Sequence, residues 1–144
     1  MSDLQERFTS ALHNTSRAWR QAVDRKLKHL GVSQASWLTI AVAAKARRPL
    51  SQSELADRLA VEGATMVSMV DRLVKAGLVI REPSTTDRRV KRIVLTEAGN
   101  QLYDKVKTQA AMLRGELLAN VDPKRLLVAT ELLEALQGII ETSL

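Results

Sequence analysis

Arg88, Arg89, Lys91 and Arg92 fall within five consecutive positions, directly after the turn-forming run Pro83, Ser84, Thr85, Thr86, Asp87. Cations at this density are suited to neutralising phosphates. The short aliphatic runs at 78–80 and 93–95 flank them and predict a β-hairpin with a long connection. Residues 78–96 carry five Lys/Arg against two acids, a local charge of +3. A basic loop on a two-stranded stem is a probe for a phosphate-lined groove.

A second polar row lies just upstream. Thr65, Ser68, Arg72 and Lys75 step by three, four and three residues, the spacing of one helix face. Each can hydrogen-bond to a base edge or a phosphate, as the residues of a helix lying in a major groove would. Met66, Val67, Val70, Leu73 and Val74 are expected on the opposite, buried side. This helix is predicted over 64–76, with Gly77 as its left-handed stop. Before it, Ser51 and Glu54 form a capping-box signal for a helix running to about Ala60. Gly63 is expected in the intervening turn, where a compact backbone is cheap for glycine. Helix, tight turn, polar-faced helix and basic hairpin follow one another within about 46 residues. Together they predict a mainly α fold, a winged helix-turn-helix with a small two-stranded β wing, over residues 34–96.

The remaining residues argue against an enzyme. His13 and His29 stand 16 apart on one predicted helix, with no cysteine and no carboxylates at metal-ligand spacing. There is no phosphate-binding glycine loop, and Ser33, Ser36 and Ser51 lack any G-x-S-x-G setting. No cofactor or metal is expected. The absence of cysteine excludes disulfides and thiol chemistry. No apolar run nears the roughly 18 residues that span a bilayer, and the start lacks a signal peptide's hydrophobic region. A soluble, cytoplasmic protein is the expectation.

The chain has 144 residues and a formal charge of +6, which favours an anionic partner. Residues 1–48 carry nine basic and three acidic groups, whereas 97–144 carry five and seven. Basic surface is thus expected on the amino-terminal helices and the wing. The core should be aliphatic, since the chain holds one Phe, one Tyr and two Trp.

Long helices bracket the reading module. One is predicted over 3–30, ending at Gly31, and a second over 34–46, capped by Ser33. Thr96 suits the N-cap of a helix over 97–119. Asp122 and Pro123 suit the N-cap and first turn of a last helix to about 142. That last helix spreads Leu126, Leu127, Leu132, Leu133, Leu136, Ile139 and Ile140 over more than one face. A single small module cannot cover so much aliphatic surface. Residues 1–33 and 97–144 are therefore expected to form a homodimer, which would demand a roughly palindromic operator.

The segments DRRVKRIVLTEAG (87–99), GATMVSMVDRLVKAGLV (63–79) and SRAWRQAVDRKLKHLGVSQASWLTI (16–40) resemble the MarR family of bacterial transcription regulators, within it the SlyA-like branch. The resemblance spans about residues 10–140 and centres on the wing signature D-x-R followed by a hydrophobic strand and Leu-Thr. It implies that Arg89 enters the minor groove at the wing tip, with Asp87 pairing to fix its direction. Thr65, Ser68 and Arg72 would face the major groove. Ser68 departs from the arginine often found there in SlyA-like proteins; serine is far less selective than a bidentate arginine–guanine pair. Family members dimerise through both chain ends, and repression is the family default. The full set of expected DNA-contacting residues is Ser51, Thr65, Ser68, Met69, Arg72, Lys75, Arg81, Asp87, Arg88, Arg89 and Lys91.

A ligand site is also expected. Arg17 and Arg20 share one helix face, and Trp37 is predicted near the same bundle. Cations beside an aromatic plate suit a small aromatic carboxylate. The resemblance points the same way, since SlyA-like proteins bind salicylate-type phenolic acids near these positions. The alternative reading of the whole chain is a MarR-like fold that serves as an interaction module without reading DNA.

Overall fold

The computed structural model describes residues 2–143 and is mainly helical with one small antiparallel sheet. It divides into two compact units, one ending at Ala111 and the other beginning at Met112. In the first unit, α1 (Ser2–Leu27) is followed by α2 (Gln34–Lys45), β1 (Leu50–Ser51), α3 (Gln52–Leu59), α4 (Gly63–Lys75), β2 (Val79–Pro83) and β3 (Lys91–Leu95). The helix α5 (Glu97–Leu118) crosses the division, and α6 (Pro123–Ser143) lies in the second unit.

Local chemistry sets the boundaries. The Ser33 hydroxyl accepts from the Ser36 amide and starts α2. α1 stops at Leu27, three residues before the expected end. A single 3-10 turn, 28–30, bridges to Gly31, whose φ of 70° is open to glycine. At α3 the capping box is complete: Ser51 Oγ accepts from the Glu54 amide, and Glu54 Oε1 accepts from the Ser51 amide, each at 3.1 Å. Arg48 closes on the same carboxylate. The Arg48 hydrogen bond, then the Ser51 amide, pull the Glu54 carboxyl from its ordinary 4.5 to about 2.

This cap makes two predictions. Ser51→Ala should cost about 1 kcal/mol of stability, read from the urea midpoint. A depressed carboxyl stabilises the fold above its unfolded value and loses that contribution as pH falls from 4.5 through about 2. Glu54→Gln should therefore flatten the loss of stability over that window. An unchanged acid slope would show that the pair contributes nothing.

The turn between α3 and α4 differs from expectation. The left-handed residue is Ala60, at φ 54°, while Gly63 is the first residue of α4. The Ala60 amide donates to the Ala56 and Asp57 carbonyls, which hold this costly conformation in place. α4 ends as predicted, with Gly77 at φ 76° and the Leu78 amide returning to the Leu73 carbonyl at 3.0 Å.

The sheet has three strands in the order β1-β3-β2, not two. The added strand is the residue pair before the α3 cap: Leu50 opposes Ile93 and Ser51 opposes Arg92. β2 and β3 pair from Val79–Leu95 to Pro83–Lys91. The stem thus reaches further toward the hairpin tip than the aliphatic runs alone suggested, while at its base it begins at Val79. One aliphatic core joins helices and sheet, with Ile40, Leu50, Leu55, Met66, Val70, Leu73, Val79 and Ile93 all buried. Burying each such side chain contributes about 1.5–3 kcal/mol.

The start of α5 is tied to this core. Thr96 Oγ1 accepts from the Gly99 amide at 3.1 Å and donates to the Gly77 carbonyl at 2.7 Å. The Thr96 amide donates to the Leu78 carbonyl. Asp122 caps α6 through the Lys124 amide. No described residue of α6 is buried, although Leu127, Val128, Leu132 and Ile139 lie along it. No helix of the described chain is long and apolar enough to cross a membrane.

Candidate nucleic-acid interface

Two elements of the first unit present polar groups outward. On α4, Met66, Met69, Val70 and Leu73 form the buried stripe. Thr65, Ser68, Arg72 and Lys75 are all exposed. Met69, expected at the DNA surface, is only 7 % exposed, and its sulfur accepts the Thr39 hydroxyl at 2.6 Å. It holds α4 against α2 from within. Val67 and Val74, expected in the core, are exposed instead. The cause is angular: the 66, 69, 70, 73 stripe leaves 67 and 74 on the flank, and Met69 takes the inner position.

The second element is the hairpin tip over 84–90. The Ser84 amide donates to the Val90 carbonyl at 2.8 Å, and the Val90 amide to the Asp87 carbonyl at 3.0 Å. Asp87 Oδ1 accepts from the Arg89 amide at 3.0 Å and from Arg89 Nε at 3.3 Å; Oδ2 accepts from Nη2 at 3.4 Å. The Arg89 amide, then its guanidinium, hold the Asp87 carboxyl below its ordinary value. The Arg89 side chain is nevertheless 91 % exposed. The acid aims the guanidinium without covering it. Arg88 and Lys91 are exposed as well.

Two expected contacts have other duties. Arg81 is a brace: Nη2 meets Asp71 Oδ1 at 2.7 Å and the Val67 carbonyl at 3.3 Å, while Nε donates to Gln52 Oε1 at 2.9 Å. One side chain thereby joins β2, α4 and the start of α3. Ser51 accepts the amide that caps α3 and is half-buried. Arg92, at the stem, pairs with Glu82 at 2.7 Å across the strands. The Arg81–Asp71 pair was missed by sequence reasoning; its only advance signal is an acid inside an otherwise basic and hydroxylic row.

Arg17 and Arg20 do share a cavity, of about 420 Å³, with His13, Ser16, Gln21 and Gln34. Arg20 and Gln34 also border a second hollow of about 240 Å³, floored by Leu38, Leu59, Val61 and Met69. Trp37 lines neither; it is half-buried on α2, and its indole nitrogen is shielded without a partner among the described residues. No group of three metal-ligating side chains occurs among the described residues.

Residues 42–91 match the MarR family. The solved transcriptional regulator PA3341 is 38% identical, with 94% of this chain and 98% of that chain covered at a TM-score of 0.85. CouR from Rhodococcus jostii RHA1, solved bound to p-coumaroyl-CoA, is 25% identical, covering 94% and 93% at 0.80. Staphylococcus aureus MarR, solved with salicylate and kanamycin, is 22% identical, covering 98% and 95% at 0.86, and shares the fold.

Proposed function

The chain belongs to the MarR family, a family of transcriptional regulators with a DNA-binding winged-helix fold, and from that premise we propose that it binds a palindromic operator sequence-specifically as a homodimer. The role assigned is repression, in the SlyA-like branch. The observation that carries the reading is the pairing of Arg89 with Asp87 at a hairpin tip, beside the exposed hydroxyl and cationic row of α4. A guanidinium aimed by an acid but open to solvent suits the narrow negative minor groove. Thr65, Ser68, Arg72 and Lys75 suit the adjacent major groove. Arg88 and Lys91 add sequence-independent phosphate contacts.

The homodimer is supported by α6, which buries no residue within its own chain, and by Leu4, Phe8 and Leu12 exposed along α1. A second copy would cover such surface. Sedimentation at micromolar concentration is expected to give a two-chain species. A monomer there would overturn the assembly and the palindrome with it.

The effector assigned is a small aromatic carboxylate. Arg20 has no ion-pair or hydrogen-bond partner among the described residues, and Arg17 donates only to Asn14 Oδ1 at 3.1 Å. Both guanidiniums can take a carboxylate, and the Leu38, Leu59, Val61 and Met69 hollow can take the ring. CouR, with its bound p-coumaroyl-CoA, is a neighbour of similar fold that holds an aromatic acyl ligand. Because Met69 is on the inner face of α4, a ring lodged against it would favour a displaced reading helix and weaken operator binding by its differential affinity.

The test is selection of bound fragments from random genomic DNA, repeated with millimolar salicylate. Enrichment of one palindrome, lost with salicylate, is expected. No enrichment would leave the interaction module as the better reading, and ligand-independent enrichment would remove the effector alone.

A further inference from the structure

We infer that Asp71 reads a cytosine in each operator half-site, with Arg81 as the positioning residue that lets an acid enter the groove. This rests on the DNA-reading function proposed above. Four buried residues, Met66, Met69, Val70 and Leu73, mark the inner pole of α4. At about 100° per residue, Asp71 lies within roughly 30° of the opposite pole, closer than Arg72 or Thr65. Its side chain is 60 % exposed, whereas that of Arg81 is 27 % exposed.

An unneutralised carboxylate at that pole would face two phosphate backbones and be repelled. Arg81 removes this cost by pairing with Oδ1 at 2.7 Å, while also holding the Val67 carbonyl and Gln52. It fixes the carboxylate plane from one side. Oδ2 has no partner among the described residues, so one acceptor of this exposed side chain remains free. A carboxylate only accepts, and the major-groove edge of cytosine offers the N4 amino donor. Guanine presents acceptors O6 and N7 there, and thymine presents O4, so both are rejected by lone-pair repulsion; adenine sets the acceptor N7 beside its N6 donor, which disfavours it against cytosine. An acid in this row thus sharpens selection by exclusion, which the hydroxyls of Thr65 and Ser68 cannot do.

The experiment is selection from a randomised duplex library with the full chain, Asp71→Asn and Asp71→Ala, each checked for unchanged thermal unfolding. Wild type should select cytosine at one position per half-site. Asp71→Asn, which keeps an acceptor for Arg81, should move that position to adenine, because an amide donates and accepts. Asp71→Ala should flatten it, losing roughly tenfold to a hundredfold of discrimination while binding to random DNA stays equal or rises. The other positions of the operator should not change. Variants that keep the wild-type preference everywhere and bind uniformly more weakly would reduce Asp71 to a structural counter-ion. A wild-type operator without that cytosine would also overturn the inference. Failure of wild type to select any sequence would instead overturn the DNA-reading function beneath it.

Discussion

Gly99→Ala is expected to lower the unfolding free energy by about 3 kcal/mol, the upper end of overpacking costs. A Cβ at this position would lie 2.1 Å from the Leu78 carbonyl oxygen and 3.1 Å from its carbon. Neither atom is free to yield. The Leu78 carbonyl accepts the Thr96 amide, and Thr96 in turn holds both Gly77 and the Gly99 amide. Relieving the clash means lifting the first turn of α5 off the end of α4, and with it the cap. Urea unfolding should show a lower midpoint with the slope unchanged. A midpoint within experimental scatter of wild type would mean that the α4–α5 junction is looser than its hydrogen bonds indicate.

Arg89→Ala should weaken operator binding about tenfold to a hundredfold and make its salt dependence shallower by about one unit. The folded protein should be untouched, because this side chain is almost wholly exposed. Arg89→Lys should recover the charge but not the function. A lysine cannot present the Nε and Nη2 pair that meets both Asp87 oxygens, so its ammonium would be unaimed. Titrations at two or more salt concentrations separate these outcomes. Equal dissociation constants for wild type and Arg89→Ala would remove the wing from the interface.

The elements that could be read from sequence are those with local signals. Ser33, Ser51, Thr96 and Asp122 are caps whose partners lie two or three residues away, so their hydrogen bonds are written in short windows. Gly31 and Gly77 mark left-handed backbone for the same reason. What could not be read depends on distant chain. β1 is two residues long and exists only because Leu50 meets Ile93 across 43 positions. Ala60 adopts a conformation that its type disfavours, so its residue type gave no sign of the turn it makes between α3 and α4. Met69 looked like an exposed residue because period alone allows it either side of the stripe; Thr39, 30 residues earlier, decides. Arg81 looked like a free cation until Asp71 and Gln52 were in place around it. The candidate site was legible at Arg89 and Asp87, which are neighbours, and along the polar row of α4. It was not legible wherever a charge is consumed within the fold.

The three-way junction at Arg81 has a mechanical corollary. With the hairpin stem bolted to the reading helix, neither can tilt alone without breaking a charged contact of 2.7 Å. Any push delivered to Met69 from below therefore swings both blades of the molecule together. Engagement with the double helix would then be gained or surrendered in a single motion, giving the protein a toggle rather than a dimmer.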